Sequence, residues 1–296
     1  MIMIRFDLKK ILAVVLCLVM LFAFSSCGEE STAGTSSITS SVNSSKAESN
    51  VSNSTSSSAY VSSEAEKPVV TIMPLGDSLT QGGSYKVGDD PNAVKKSSGY
   101  RNHLSKMLTE GGYNTKFVGS HNWAPDLITD GNVMHSGYGG ATIFTLKGKL
   151  TEMTNCNPDI ILLMIGRNDM TEGTSPTNYI SFLDQHLMVD LYKMFPNAHI
   201  FIASIPVVRN HNNEELQMTS DTNYAPKIEE YVQQQKSKGA KVDFVDMRVS
   251  ASGLTWEDFT AEDFVHPQPA GYEKIAKQWY SAITDKITEI AASKSK

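Results

Sequence analysis

Short, continuous apolar runs rich in β-branched residues recur along residues 67–296, separated by amphipathic stretches. They fall at 69–75, 115–118, 160–165, 199–205 and 242–245. Runs without polar alternation suit strands buried on both faces. Between them, 100–108, 143–153, 178–194, 224–236 and about 270–292 carry helical periodicity. Alternating β and α elements dictate a parallel sheet with right-handed crossovers and helices on both faces. The predicted architecture is therefore a three-layer α/β/α sandwich around about five parallel strands. The chain shows no internal repeat. In such sheets the active site forms beyond the carboxyl ends of the strands.

The first 66 residues have a different character. Arg5, Lys9 and Lys10 precede an apolar run from Ile11 to Phe24. That run is short for a membrane span and suits the core of an export signal. It ends in Phe24-Ser25-Ser26-Cys27. Small residues directly before a cysteine resemble the bacterial lipoprotein cleavage box. The resemblance implies lipidation at Cys27 and a protein exported to the outer face of the cell membrane, held there by its lipid alone. The other readings are an uncleaved membrane anchor and a freely secreted protein. Residues 28–67 are dominated by Ser and Thr, with few, aperiodic apolar residues. Such a segment cannot bury enough surface to offset its ordering entropy. It reads as a tether between the signal at 1–27 and a catalytic domain at 68–296.

The formal charge is −6, which argues against a nucleic-acid partner, since that would need a basic stripe. Cys156 is the one cysteine in the predicted domain, so no disulfide framework or cysteine-rich metal site is expected there.

Four short segments carry chemistry. The first predicted strand runs into Gly76-Asp77-Ser78. A serine there can project its hydroxyl from the sheet end, although Asp and Ser also suit a turn and helix cap. The third strand ends in Ile165-Gly166-Arg167-Asn168-Asp169. An amide just past a strand can donate to a developing oxyanion, or merely shape an Asn-Asp turn. Between them, 135–143 is rich in glycine and precedes a helix, so its N–H groups can approach a ligand closely. Its partial likeness to a dinucleotide fingerprint fails at the last position and does not follow the first strand. Near the end, Asp263 stands three residues before His266. A carboxylate so placed can hold the imidazole through Nδ1 and leave Nε2 to accept a serine proton. Asp77 and Asp169 read as loop-fixing acceptors rather than proton carriers.

In this order, the four segments resemble the conserved blocks of the SGNH, or GDSL-type, hydrolases. Residues 100–104, 117–120 and 140–143 look most like carbohydrate esterase family 3, the acetylxylan esterases. The resemblance implies the flavodoxin-like SGNH fold and a serine esterase that uses no cofactor or metal. It implies Ser78 as nucleophile, His266 as base and Asp263 as its orienting partner. The oxyanion hole would comprise the N–H groups of Ser78 and Gly140, with Gly139 as runner-up, and the Asn168 amide. The expected substrate is an acetylated carbohydrate such as xylan. The alternatives are a lipase, lysophospholipase or thioesterase of the same fold, or an esterase acting on cell-envelope polymers. Arg167 replaces a common Thr and would add charge near the cleft. Ala141 replaces a bulky aromatic and would widen it. Trp123, Tyr138 and Trp256 are candidates for stacking on sugar rings.

Overall fold

In the first strand, β1 (Val70–Gly76), alternate side chains enter two separate cores. Met73 and Leu75 point to one, Val70 and Ile72 to the other. The computed structural model describes residues 67–86, 94–206, 219–259, 263 and 265–296. They lie in one unit, Ser62–Lys296. The predicted export signal, Cys27 and nearly all of the tether fall outside the described residues.

After β1 come a single helical turn, α1 (Ser78–Gln81), and a small hairpin of β2 (Ser84–Lys86) and β3 (Val94–Lys96). Helix α2 (Arg101–Glu110) leads to three short strands, β4 (Thr115–Phe117), β5 (His121–Asn122) and β6 (Met134–Gly137). Then α3 (Ile143–Lys149), β7 (Ile160–Met164) and α4 (Arg167–Thr171) follow. The next helical stretch is α5 (Pro176–Phe182), a π-helical segment (Leu183–Met188) and α6 (Val189–Met194). The chain ends with β8 (His199–Ala203), α7 (Ala225–Ser237), β9 (Val242–Val245), α8 (Val249–Ser252) and the long α9 (Pro269–Lys294).

The main sheet runs β5-β6-β1-β7-β8-β9, with β4 also paired to β1. It has seven strands in place of the predicted five or so. The difference lies at one edge. β4 pairs with the start of β1 and β6 with its end, both parallel, so two short strands share one lane. β5 adds an antiparallel edge to β6. The lanes from β4/β6 to β9 follow the flavodoxin-like order, whose switch point lies between the first strand and its neighbour on the far side. Here that point is the gap between the ends of β1 and β7.

Both faces of the sheet are covered. One core packs α3, α5, α6 and α7 against Met73, Leu75, Ile161, Leu163, Ile200 and Ile202. The other packs α2 and α9 against Ile72, Ile160, Leu162 and Phe201, with Trp279 at its centre. Strands buried on both sides explain why they read as unbroken apolar runs.

Candidate active site

Ser78 is the first residue of α1 and leaves the sheet at the end of β1. Asp77 caps that turn: its Oδ1 accepts from the Leu79 N–H at 2.9 Å. Asp77 is 1% exposed, and burial pushes its pKa up to about 7, against opposing contributions from the Leu79 N–H and nearby His266. Ser78 itself stays half-exposed, and its Oγ makes no hydrogen bond among the described residues. The cap and the exposed hydroxyl are thus separate tasks for neighbouring residues.

His266 stands on the loop before α9. Its Nδ1 is 2.7 Å from Asp263 Oδ2. The other carboxylate oxygen accepts the N–H groups of Val265 at 2.9 Å and His266 at 3.0 Å. Burial raises the Asp263 pKa, but the hydrogen bonds and charge of His266 outweigh it, and the net shift is downward. The carboxylate therefore stays ionised and fixes the proton on Nδ1. Nε2 is buried and has no hydrogen-bond partner among the described residues.

The ring is seated by Gly83. A Cβ at that position would lie 2.7 Å from His266 Cγ and 2.9 Å from Cδ2. Only a residue without a side chain lets the imidazole rest there. This contact joins the loop of His266 to the segment that follows α1, and nothing in the sequence spacing foretold it.

The glycine-rich loop leaves β6 beside the end of β1, where the Tyr138 N–H donates to Gly76 O at 2.9 Å. It turns with Ala141 N–H donating to Tyr138 O at 3.1 Å and Gly140 at φ +73°. A positive φ at that turn position favours glycine. Gly139 and Gly140 are exposed, and the N–H groups of Ser78 and Gly140 form no hydrogen bond among the described residues.

Asn168 and Asp169 tie this loop to the end of β7. Asn168 Nδ2 donates to Ala141 O at 2.8 Å. Both oxygens of Asp169 accept the Ile143 N–H, at 3.1 and 3.2 Å. Burial raises the Asp169 pKa, opposed by those backbone N–H groups. An amide nitrogen carries two hydrogens, so Asn168 retains one donor beside Gly140.

Two histidines brace the same loop from behind. His121 Nε2 lies 2.8 Å from Gly137 O, and the Gly137 N–H donates to His135 Nδ1 at 3.0 Å. Burial drives the His135 pKa down to about 2. Sequence reasoning missed both, because their partners are backbone atoms with no signature of their own.

Some expectations need revision. Ala141 is fully buried in the core, so its small size is absorbed by packing rather than by a wider cleft. Tyr138 hydrogen-bonds Ser120 at 2.7 Å and Glu152 at 2.9 Å, with Lys149 over its ring. Trp123 carries Lys96 over its ring. One face of each ring is therefore already occupied, whereas Trp256 is 62% exposed. Arg167 is only 7% exposed and stands within the electrostatic reach of Asp77 and Asp263. Burial lowers its pKa while those carboxylates raise it. The charge expected at position 167 is present, behind the site rather than on its surface.

Residues 75–274, more than half of the chain, match the GDSL-like lipase/acylhydrolase family. The chain belongs to that family. It is also similar to a "Multidomain esterase" of Ruminococcus flavefaciens, 30% identical over 239 residues, covering 72% of this chain. The chain spans only 28% of that relative's length. A Clostridium thermocellum family 3 carbohydrate esterase has 28% identity and a TM-score of 0.58, with 76% of this chain and 100% of the other covered. A family 3 carbohydrate esterase from Talaromyces cellulolyticus shares the fold at 22% identity and a TM-score of 0.58, covering 74% of this chain and 99% of its own. Ser78, the glycine-rich loop and Asn168 come together beside the ends of β1 and β7, at the switch point of the sheet, where ligands bind in open α/β sheets.

Proposed function

We propose that this GDSL-family protein is a serine esterase that removes acetyl groups from carbohydrates such as acetylated xylan. The observation that carries the mechanism is the imidazole of His266, held through Nδ1 by Asp263 and seated on Gly83, with Nε2 uncommitted. Ser78 Oγ attacks the ester carbonyl carbon while Nε2 takes its proton. The carbonyl electrons move onto oxygen, and the N–H groups of Ser78 and Gly140 with the Asn168 amide receive that charge. Preorganised donors of this kind supply much of the rate enhancement. The carbon–oxygen bond to the sugar then breaks, and His266 gives its proton to the departing sugar oxygen. Water repeats the sequence on the acetyl-enzyme, releasing acetate and restoring Ser78. Asp263 stabilises the imidazolium throughout without itself taking the proton. In the unliganded enzyme, serine–histidine contacts are commonly long and tighten with substrate.

The carbohydrate substrate is supported by the likeness to the Clostridium thermocellum carbohydrate esterase. The Ser-Ser-Cys27 segment supports attachment to the outer face of the membrane through a lipid. The test is acetate release by the full-length protein from acetylated xylan, pectin, chitin fragments and peptidoglycan in parallel. Xylan is expected to be turned over fastest. Ser78→Ala should lower that rate by about 10⁴-fold, and a phosphonate should label Ser78 alone in the wild type. Near-normal turnover by a folded Ser78→Ala protein excludes this mechanism.

A further inference from the structure

Beside the His266 loop lies a groove of about 560 Å³ that the hydrolytic mechanism leaves unused. Its position is fixed by the residues that seat the imidazole. The Ser97 N–H donates to Gly83 O at 2.7 Å, and Gly99 packs on Gly82. Pro269, which also lines it, begins α9 three residues after His266. The groove therefore borders the segments that seat and carry His266.

Its lining has an unusual reserve of polar groups. Ser98, Asn102 and His103 line it, and none of their side chains makes a hydrogen bond among the described residues; the Asn102 Oδ1 is buried without a partner. Buried polar atoms normally have a hydrogen-bond partner, so the unpartnered Asn102 Oδ1, with buried Ser98 and half-buried His103 beside it in one concave wall, points to an outside partner. Leu127, 40% exposed, and Pro269 add apolar surface to the same groove. Alternating hydroxyl-binding groups and apolar patches suit a sugar ring, which presents hydroxyls at its edge and C–H groups on its faces. Burial lowers the pKa of His103, leaving it neutral near pH 7. Lys96 and Asp126 contribute one charge of each sign. The lining has no net charge with which to attract an acidic ligand. The volume falls within the range of about 300–1,000 Å³ typical of small-molecule sites.

We propose that this groove is a subsite for neutral sugar residues flanking the acetylated one, so that the enzyme reads a stretch of polysaccharide main chain and not the ester alone. This rests on the carbohydrate-esterase reading. The full chain should be assayed on p-nitrophenyl acetate, on acetylated methyl xyloside and on acetylated xylo-oligosaccharides of increasing length. From monosaccharide to tetrasaccharide, kcat/KM should rise by about tenfold or more. Asn102→Ala and His103→Ala should each lower the ratio of kcat/KM for the tetrasaccharide to that for p-nitrophenyl acetate by about fivefold. The ratio does not depend on how much of a variant is folded. Should Asn102→Ala not fold, Ser98→Ala provides the same comparison. Carbohydrate turnover with no gain from chain length, or ratios within about twofold of wild type in every variant, overturns the subsite alone. A length gain confined to acetylated oligogalacturonides overturns its neutral character. Release of acetate from p-nitrophenyl acetate but from no carbohydrate overturns the carbohydrate reading and the subsite together.

Discussion

Asn168 commits one amide hydrogen to the Ala141 carbonyl and has a second for the cleft, which gives its substitution two separable effects. Losing the first loosens the glycine loop; losing the second removes a donor that matters mainly as charge develops. We predict that Asn168→Ala lowers kcat by about 10²–10³ with KM little changed. Asn168→Asp should be at least as damaging, because a carboxylate accepts where a donor is needed and repels the oxyanion. The competing possibility is that Asn168 only holds the loop. Stability and activity would then fall together, and cooling would restore much of the rate. A stable Asn168→Ala protein with kcat within about threefold of wild type, a gap of about 0.7 kcal/mol, removes this residue from the oxyanion hole. The residue scale also shows why two readings of Gly76-Asp77-Ser78 were compatible. Asp77 serves as the cap and Ser78 remains available, so the turn chemistry places the serine rather than competing with it.

Elements with a buried apolar face were legible in the sequence, and elements held by backbone pairing alone were not. The strands read at 69–75, 160–165, 199–205 and 242–245 appear within a residue or two, because their β-branched runs face two cores at once. β6 escaped notice: Met134-His135-Ser136-Gly137 has neither alternation nor a β-branched residue, and only its pairing with the end of β1 makes it a strand. The helix expected over 178–194 is interrupted by a π segment at Leu183–Met188, for which the sequence carries no visible signal. Likewise, Asp263 and His266 were findable because three residues separate them, whereas Gly83 belongs to the site through a contact spanning most of the domain. That contact has a consequence at the junction of α1, β2 and the loop before α9. We predict that Gly83→Ala displaces the imidazole and lowers kcat/KM by about 10², the usual effect of a misplacement near 1 Å. Phosphonate labelling of Ser78 should slow in step, since it needs the same base. Activity within about threefold of wild type means that the ring does not depend on this floor.

At the scale of the whole molecule, the chain enters the domain at the amino end of β1, while Ser78 lies at the other end of the strand, about 20 Å away at 3.3 Å per residue. As the proposed spacer, residues 28–67 would reach about 35 Å root-mean-square by random-coil scaling. The lipid attachment we propose would depend on Cys27, because one acyl chain binds membranes marginally whereas a multiply acylated cysteine holds stably. Cys27→Ala is expected to move the protein from the membrane to the soluble fraction or to stall its processing, as fractionation and N-terminal sequencing would report. A native protein that is already soluble and begins at another residue rules out the lipid anchor.

The two ends of the folded domain meet. Lys294 Nζ, at the close of α9, donates to Val69 O at 2.9 Å and to Asp159 Oδ2 at 2.6 Å, beside the start of β1. A domain whose entrance and exit stand side by side behaves as a cassette: it can be spliced between unrelated modules without stretching, and whatever is joined to it leaves from the end remote from the reaction. The matching region of the Ruminococcus relative is likewise only 28% of that protein's length, as a cassette set among other modules would be.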